Sequence, residues 1–261
     1  MWYIEGMVAI NAQINKLAKM NLLALKFFRV QLQKSRVAKK YLKNRLPVKT
    51  INKYKLGLAT GVDLFAFLRS NGFSKHDFVQ AGFAFRDKES GSLRPVFKNR
   101  IMVPIYSFGK VIAFGGRDLG GKSKSKYINN KVTPLYDKSN TLFNLSNSYK
   151  HIVKKESAIL LEGYFDCMGL DAQGVHNTVA TCGTAFTDQH VLLARRFTDT
   201  ICILYDGDKP GQVAAAKTEK FLDDMHVHNF NVKLPNKLDP DEFISKHGKS
   251  KLLARIERAR S

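Results

Sequence analysis

The sequence has 261 residues, of which 44% are hydrophobic and 25% charged, so it is long enough for one or two domains with real cores. Its formal net charge of +21 predicts a polyanionic partner; a membrane surface fits this charge too, but a nucleic acid is favoured. No stretch reaches the roughly 18 uncharged apolar residues that a membrane-spanning helix needs, which argues against a membrane protein.

The start of the chain and its cysteines give evidence on the cellular compartment of the protein. The opening sequence MWYIEGMVAI lacks the basic start and cleavage site of a secretory signal, while a transit peptide within the first ~20 residues stays open. The three cysteines, Cys167, Cys182 and Cys202, form no Cys-x-x-Cys pair, and their odd number fits reduced thiols. We therefore expect a cytoplasmic protein of bacterial or phage type, with organelle import left open, and no zinc.

Residues 1–60 form the first predicted region, a basic helical segment. They hold 13 lysines and arginines against one acidic residue, Glu5. Leu22, Leu25, Phe28 and Leu32 recur at helical spacing, which predicts an amphipathic helix with its apolar face in a core. The basic positions of this region either bind a polyanion or simply form a solvated face.

Residues 61–156 form the second predicted region, a basic subdomain of mixed helix and strand. Ile101–Tyr106 and Val111–Phe114 are predicted strands joined through Phe108 and Gly109, a pattern typical of a hairpin. A loop of glycine, lysine and serine follows from Gly120 to Lys126, and such a loop is a weak signal for phosphate binding. Residues 1–156 together carry a net charge of +22.

Residues 157–247 form the third predicted region, and here short apolar runs alternate with helical segments. Such alternation predicts βαβ units and a mostly parallel sheet flanked by helices, an α/β fold. A basic tail, 248–261, follows. The predicted strands are Ser157–Leu161, Asn177–Ala180, Thr200–Tyr205 and Phe230–Leu234, and the helices are Gly163–Gln173, Gln189–Phe197 after a cap at Thr187, Pro210–Met225 and Asp241–His247.

Carboxylates cluster in this third region, although it lies in a strongly basic protein. Residues 157–245 carry a net charge of −6, and Glu162, Asp206 and Asp239 each follow a predicted strand. The ends of parallel strands meet at the carboxyl edge of a sheet, where open α/β folds bind their ligands. Like charges gathered there repel one another unless a cation neutralises them, and oxygen ligands suit Mg²⁺ or Mn²⁺. Helix capping is the competing explanation for such carboxylates.

Several of these segments resemble the DnaG-type bacterial primases. Three of them resemble the TOPRIM domain of that family. They are Leu161–Asp166, Val179–Thr184 and Tyr205–Asp208, with Leu238–Phe243 resembling the acidic motif that closes the TOPRIM site. The resemblance extends to the family's amino-terminal polymerase subdomain in Ala38–Gly57, Phe97–Ile105, Val111–Arg117, Lys126–Asn129 and Thr133–Lys138 with Leu142 and Phe143. It spans roughly residues 20–250, in the family's order.

The resemblance implies a DNA primase core, an RNA polymerase that makes short RNA primers on single-stranded DNA from ribonucleoside triphosphates and leaves an RNA–DNA hybrid. It implies that two or more Mg²⁺ or Mn²⁺ ions are held by Glu162, Asp206 and Asp208, with Asp239, Asp241 and Asp166 extending the acidic site. It also implies nucleotide or template contacts for Arg100, Arg117, Lys126, Asn129 and Lys138, with Lys126 among the catalytic residues.

The sequence also departs from the family's pattern. The family's zinc-ribbon motif, most of its helical subdomain and its helicase-binding module have no counterpart here, so contact with a replicative helicase would need regions absent from this sequence. A naturally reduced primase and the catalytic core of a longer one both fit. Two other functions stay open: a TOPRIM-type metal-dependent nuclease, and a non-catalytic remnant that binds single-stranded DNA.

Overall fold

The chain forms two compact units in a computed structural model. The amino-terminal unit comprises residues up to Asn44 together with Ile51–Asp137, and the carboxy-terminal unit comprises Arg45–Thr50 and Lys138–Ser261. The structure describes residues 2–60, 62–121, 123–235 and 237–261, and in residues 2–10 it describes secondary structure only. The division by function predicted above, with bounds at 60, 156 and 247, stays a prediction.

The amino-terminal unit is built on a long helix and a four-stranded antiparallel sheet of order β1-β4-β5-β6. A separate antiparallel pair is formed by β2 and β3. The elements are α1 (Trp2–Lys34), α2 (Arg36–Lys43), α3 (Val48–Lys53, which is shared between the units), β1 (Gly57–Ala59), α4 (Leu64–Ser70), α5 (Lys75–Gln80), β2 (Ala84–Arg86), β3 (Leu93–Pro95), β4 (Arg100–Ser107), β5 (Lys110–Asp118) and β6 (Tyr127–Asn129).

Helix α1 packs on this sheet, but one of the residues predicted for its buried face lies outside it. Leu25, Phe28 and Leu32 are buried, whereas Leu22 is 48% exposed, so its prediction was wrong. Its neighbour Asn21 takes the buried position and donates hydrogen bonds to the carbonyls of Val111 and Ile112, 3.1 and 3.0 Å away. These two hydrogen bonds satisfy the amide nitrogen of Asn21 and tie α1 to β5.

The predicted hairpin between Ile101–Tyr106 and Val111–Phe114 is confirmed as β4 and β5. At its turn Phe108 and Gly109 have φ angles of 38° and 90°. Two consecutive positive φ angles are typical of a type I′ turn, whose twist matches that of the strands it joins.

The carboxy-terminal unit contains the predicted parallel sheet, of order β11-β10-β8-β9-β7. Strands β8 to β11 run parallel, and β7 alone pairs antiparallel, with β9. After a 3₁₀ turn at Lys138–Asn140, the elements are β7 (Leu142–Phe143), α6 (Leu145–Lys155), β8 (Ala158–Leu161), α7 (Tyr164–Ala172), β9 (Thr178–Thr181), α8 (Asp188–Arg195), β10 (Thr200–Ile203), α9 (Lys209–Asp224), β11 (His228–Asn231), α10 (Pro240–His247) and α11 (Lys249–Arg260).

The α/β fold class is confirmed, but several predicted boundaries need correction. The third predicted strand ends at Ile203 and not at Tyr205, and the helix predicted as Gln189–Phe197 spans Asp188–Arg195. The fourth strand of the alternating region was expected at Phe230–Leu234 but begins at His228 and ends at Asn231. Val232 and Leu234, which suggested the later strand, are buried in the loop that follows. The predicted cap at Thr187 is confirmed, since its hydroxyl accepts a hydrogen bond from the His190 backbone N–H. None of the described helices is both long and apolar enough to cross a membrane.

Candidate active site

Glu162 and Asp206 come together because their strands are neighbours in the sheet. Glu162 directly follows β8, and Asp206 stands three residues beyond β10, which pairs with β8. The backbone N–H of Asp206 donates to Oε1 of Glu162 over 3.3 Å. Burial raises the pKa of the Glu162 carboxyl, the Asp206 N–H lowers it, and the charge of Asp208 raises it further, so the net shift is upwards. A carboxyl with this shift gains from a nearby cation.

The turn through Gly207 connects this pair to the third acidic segment. The Gly207 backbone N–H donates to the carbonyl of Leu238, 2.9 Å away. Leu238 is the residue directly before Asp239. A Cβ at position 207 would lie only 2.8 Å from the Leu234 carbonyl oxygen, so a side chain there would push the two loops apart. A glycine therefore lets the loops after β10 and β11 meet.

Two of the aspartates cap helices, as the competing explanation expects. Oδ1 of Asp208 accepts from the Gly211 N–H over 2.8 Å at the start of α9. Oδ1 of Asp239 accepts from the Glu242 N–H over 2.7 Å at the start of α10. Each cap uses one carboxylate oxygen, which leaves the other oxygen of each group for a second role.

Asp166 lies where the acidic charges act most strongly on one group. It stands in the first turn of α7, and burial, followed by the charges of Asp239, Asp206 and Asp241, raises its pKa to about 8. Helix α7 approaches these groups closely because Gly169 faces Asp241: a Cβ at 169 would lie 2.6 Å from the Asp241 carboxyl carbon. Asp166, Asp206, Asp239 and Asp241 thus form one electrostatically coupled cluster.

The chemistry of this cluster fits a divalent cation, although its side chains are not arranged as a finished site. Its members all offer carboxylate oxygens, the ligands that Mg²⁺ and Mn²⁺ prefer. Within the described residues, no three His, Cys, Asp or Glu side chains converge closely enough to hold an ion as they stand. Coordination would therefore need the carboxylates to turn towards a common point. The three cysteines are buried and form no disulfide.

The basic residues expected to contact nucleotide or template are distributed over both units. Arg100, Arg117, Lys126 and Asn129 belong to the amino-terminal unit, and Lys138 belongs to the carboxy-terminal unit. Lys126 and Lys138 are exposed, and Asn129 is half-buried in β6. Of the predicted phosphate loop, Lys122 lies outside the described residues.

Arg100 is buried and organises the loop that follows β5. Arg100 is only 5% exposed, and this burial lowers the pKa of its guanidinium. The guanidinium donates to the Gly116 carbonyl over 3.0 Å, to Ser123 Oγ over 2.6 Å and to the Ser125 carbonyl over 3.0 Å. Arg100 therefore fixes the backbone that presents Lys124 and Lys126 to solvent.

Arg117 is held between two tyrosines. It is 7% exposed, and its guanidinium carbon lies 5.8 Å from the ring centre of Tyr41 and 5.2 Å from that of Tyr127. The guanidinium also donates hydrogen bonds to both hydroxyls. Stacking and hydrogen bonding together fix the plane of the guanidinium, which prepares it to bind an anion in one orientation.

Arg45 is the basic residue that sequence reasoning missed. It belongs to the carboxy-terminal unit, and its guanidinium lies 5.4 Å from the ring centre of Phe165, the residue before Asp166. Its Nε is buried and has no hydrogen-bond acceptor among the described residues. The available signal was its place within Ala38–Gly57, which resembles part of the family's amino-terminal polymerase subdomain.

A cleft of about 530 Å³ opens beside Glu162. Its walls include Thr184 in the loop after β9, Tyr205, and Lys217 and Phe221 of α9. The cleft places Glu162, whose carboxyl accepts from the Asp206 backbone, at the wall of a space large enough for a small ligand.

Comparison with known proteins matches both units in order. The model of the DNA primase catalytic core, N-terminal domain, matches residues 27–149, and a Toprim-like model matches residues 159–244. The DNA primase of Clostridium acetobutylicum is 34% identical over 249 residues, which cover 94% of this chain and 41% of that protein. The chain thus spans less than half the length of that curated relative.

Solved structures agree with this match. A crystal structure of the Aquifex aeolicus primase, with its zinc-binding and RNA polymerase domains, superposes with a TM-score of 0.87 at 33% identity. The superposition covers 95% of this chain and 62% of the Aquifex aeolicus chain. The structure of a DnaG primase catalytic domain bound to ssDNA gives a TM-score of 0.83 at 30% identity, covering 95% of this chain and 80% of that one.

Proposed function

This chain belongs to the DnaG family of DNA primases, and on that premise we propose that it is a nucleotidyltransferase that makes short RNA primers. Its template would be single-stranded DNA, its substrates ribonucleoside triphosphates, and its product an RNA–DNA hybrid. The single-stranded DNA bound to the related DnaG catalytic domain supports the choice of template. The observation that carries the proposal is the coupled carboxylate cluster at the carboxyl edge of the parallel sheet.

In this proposal Glu162, Asp206 and Asp208 hold two or more Mg²⁺ or Mn²⁺ ions. Asp239 and Asp241 would add ligands, and Asp166 would orient them or take part directly. When bound, such ions neutralise phosphate charge and activate the attacking oxygen of a phosphoryl transfer. The protein's own contribution is to hold carboxylates from the loops after β8, β10 and β11, three neighbouring strands of the sheet, at one edge, where their mutual repulsion favours a bound cation.

The basic residues would hold the nucleotide and the template. Lys126 is exposed on the loop that Arg100 fixes, so it can meet a phosphate while Arg100 supports its backbone. Arg117 would bind a phosphate with a guanidinium already oriented by Tyr41 and Tyr127. Asn129 and Lys138 would complete these contacts, and the basic region 61–156 would act as the polymerase subdomain beside the metal-binding region 157–247.

The test is primer synthesis by the purified chain on single-stranded DNA, with labelled ribonucleotides and Mg²⁺ or Mn²⁺. We expect labelled primers from the wild type and none from Asp206→Asn. The matched control is Asp224→Asn, which makes the same change of charge on an exposed residue at the far end of α9 and should leave synthesis intact. Cleavage of the template without incorporation would overturn the proposal in favour of a nuclease.

A further inference from the structure

Helix α11 contains most of the basic tail, and the structure gives that tail two different faces. Leu252 and Ile256 are buried, and α11 packs on the edge strand β11. Lys251, Arg255 and Arg258 follow one another at spacings of four and three residues, so they share another face of the helix. Three of the five basic residues of α11 therefore form a stripe on one face, while Lys249 and Arg260 lie on the opposite side of the helix.

This stripe borders a pocket between α10 and α11, which we call the α10–α11 pocket. Its volume is about 320 Å³. Lys251, Arg255 and Arg258 line it together with His247, and the buried ring of Phe243 forms part of its wall. A pocket that combines several cations with an aromatic wall has the composition of sites that bind nucleic-acid strands.

Arg255 is fixed in this pocket before any ligand binds. Its guanidinium lies 5.6 Å from the ring centre of Phe243 and donates a hydrogen bond to the Lys233 carbonyl over 3.0 Å. A guanidinium has five N–H donors, so others remain for a ligand. A planar donor group held in place loses little entropy when it binds a phosphate.

The other two cations of the stripe have no carboxylate to neutralise them. Among the described residues, neither Lys251 nor Arg258 forms an ion pair, while Lys246 on α10 pairs with Glu242 at 3.8 Å. Both residues are exposed and both line the pocket. Unpaired cations around a concave site attract an anion more strongly than the same charges scattered on a flat surface.

The pocket lies next to the acidic cluster along a single helix. Helix α10 begins after Asp239, and Phe243 and His247 follow four and eight residues later. At about 1.5 Å per residue these positions are about 6 and 12 Å from the cap. A strand bound at the acidic edge would reach the α10–α11 pocket within a few phosphates, since nucleotides along a strand are about 3.4 Å apart or more.

We propose that the α10–α11 pocket binds the sugar–phosphate backbone of a nucleic-acid strand where that strand leaves the acidic edge. This rests on the proposed function only for the presence of a nucleic acid there. Lys251 and Arg258 contact phosphates, and Arg255 supplies an oriented donor pair. The pocket thereby adds a nucleic-acid contact within the carboxy-terminal unit, separate from the basic residues of the amino-terminal unit.

The test measures binding of a fluorescent oligo(dT) strand by anisotropy across a range of salt concentrations. We compare wild type with Lys251→Gln/Arg258→Gln, in which both substituted side chains are exposed at the pocket rim. Each lost phosphate contact lowers the slope of log affinity against log salt by about 0.7 for a single strand, so the double variant should lose about 1.4. Thermal unfolding checks that the variant is folded.

The matched control is Lys154→Gln/Lys220→Gln, which removes the same charge from exposed residues of α6 and α9 outside the pocket. The proposal expects a smaller slope change in this control than in the pocket variant. Equal slopes in the two double variants would overturn it and leave only a general effect of charge. Arg255→Lys, which keeps the charge but loses the planar donor, should lower affinity as well.

Two further arms define the ligand. An RNA–DNA duplex in place of oligo(dT) tells whether the pocket binds the single strand or the hybrid, because the variant should lose more affinity for the form that the pocket binds. An equal loss in the control variant for both forms would contradict the proposal. Poly-glutamate that displaces oligo(dT) equally well at matched charge would overturn the assignment to nucleic acid. The assay reads binding alone, so absence of primer synthesis by the wild type would contradict the proposed function without touching this result.

Discussion

The two units of the chain treat their functional charges in opposite ways. In the amino-terminal unit, Arg100 and Arg117 are almost fully covered and each is held by several protein groups. In the carboxy-terminal unit, Glu162 and Asp166 have pKa values raised by burial and by neighbouring carboxylates. The first unit fixes the orientation of these two guanidinium groups, whereas the second leaves carboxylate repulsion that an external cation can relieve.

This difference predicts that the acidic unit depends more steeply on single charges than the basic one. Glu162→Gln removes a carboxylate that lies against the Asp206 backbone, and we expect primer synthesis to fall at least about a hundred-fold. Single-strand binding should change little, because a basic protein loses no cationic contact. Retained synthesis in Glu162→Gln would mean that Glu162 is not a ligand; steady-state incorporation assays measure this.

Gly169→Ala tests whether the close approach of α7 and α10 positions the acidic cluster. The added Cβ would overlap the Asp241 carboxylate, so either Asp241 or the helix must move. We expect a loss of about 1–3 kcal/mol in the free energy of unfolding and reduced synthesis. Gly120→Ala is the control, because its Cβ would meet nothing within 4 Å. Chemical denaturation that shows equal stability for both variants would contradict the account.

The pH dependence of stability without metal tests whether burial and the neighbouring carboxylates together keep Asp166 protonated. Because the folded pKa of Asp166 is about 8, above its unfolded value, the folded state keeps a proton that the unfolded chain releases. Stability should therefore fall as pH rises from about 4 to 8 and level off above it. Asp166→Asn should flatten this decline, and Mg²⁺ should reduce it. Thermal unfolding measured across this pH range checks the prediction. The same slope of stability against pH in wild type and Asp166→Asn would contradict it.

The smallest effect is expected in the amino-terminal unit. Tyr41→Phe removes one hydroxyl that accepts from Arg117 but keeps the ring that stacks on it. Because Tyr127 still holds the guanidinium, we expect KM for ribonucleotides to rise only a few-fold, corresponding to about 1 kcal/mol, with kcat unchanged. Tyr41→Leu, which removes the ring too, should raise KM further. A fall in kcat without a change in KM would assign Tyr41 another role.

Much of the carboxy-terminal unit could be predicted because its signals are local. Alternating strands and helices indicated the parallel sheet, and that topology alone placed Glu162 and Asp206 at one edge. Pro210, which favours the first turn of a helix, indicated that α9 begins near Asp208, and Asp208 caps that helix. Capping by Asp208 is observed, and it leaves the metal-ligand prediction open, because a carboxylate has two oxygens.

What the sequence could not supply are the directions of long side chains. Arg100 appears in the pattern as a basic residue before a strand, and nothing local indicates that its guanidinium turns back to hold Ser123 and Ser125. The periodicity of α1 predicted a buried Leu22 because it is apolar. In the structure Asn21 is buried instead, because its side chain donates hydrogen bonds to the backbone of β5, and Leu22 is exposed. Such choices depend on partners distant in sequence.

The central claim is that the carboxylates at the sheet edge form one divalent-cation site. Calorimetric titration of the purified chain with Mg²⁺, and separately with Mn²⁺, tests it most directly, using Asp206→Asn and the control Asp224→Asn. The account predicts saturable binding in wild type and Asp224→Asn, and its loss in Asp206→Asn. Binding of equal affinity in all three proteins, or in none of them, would contradict it.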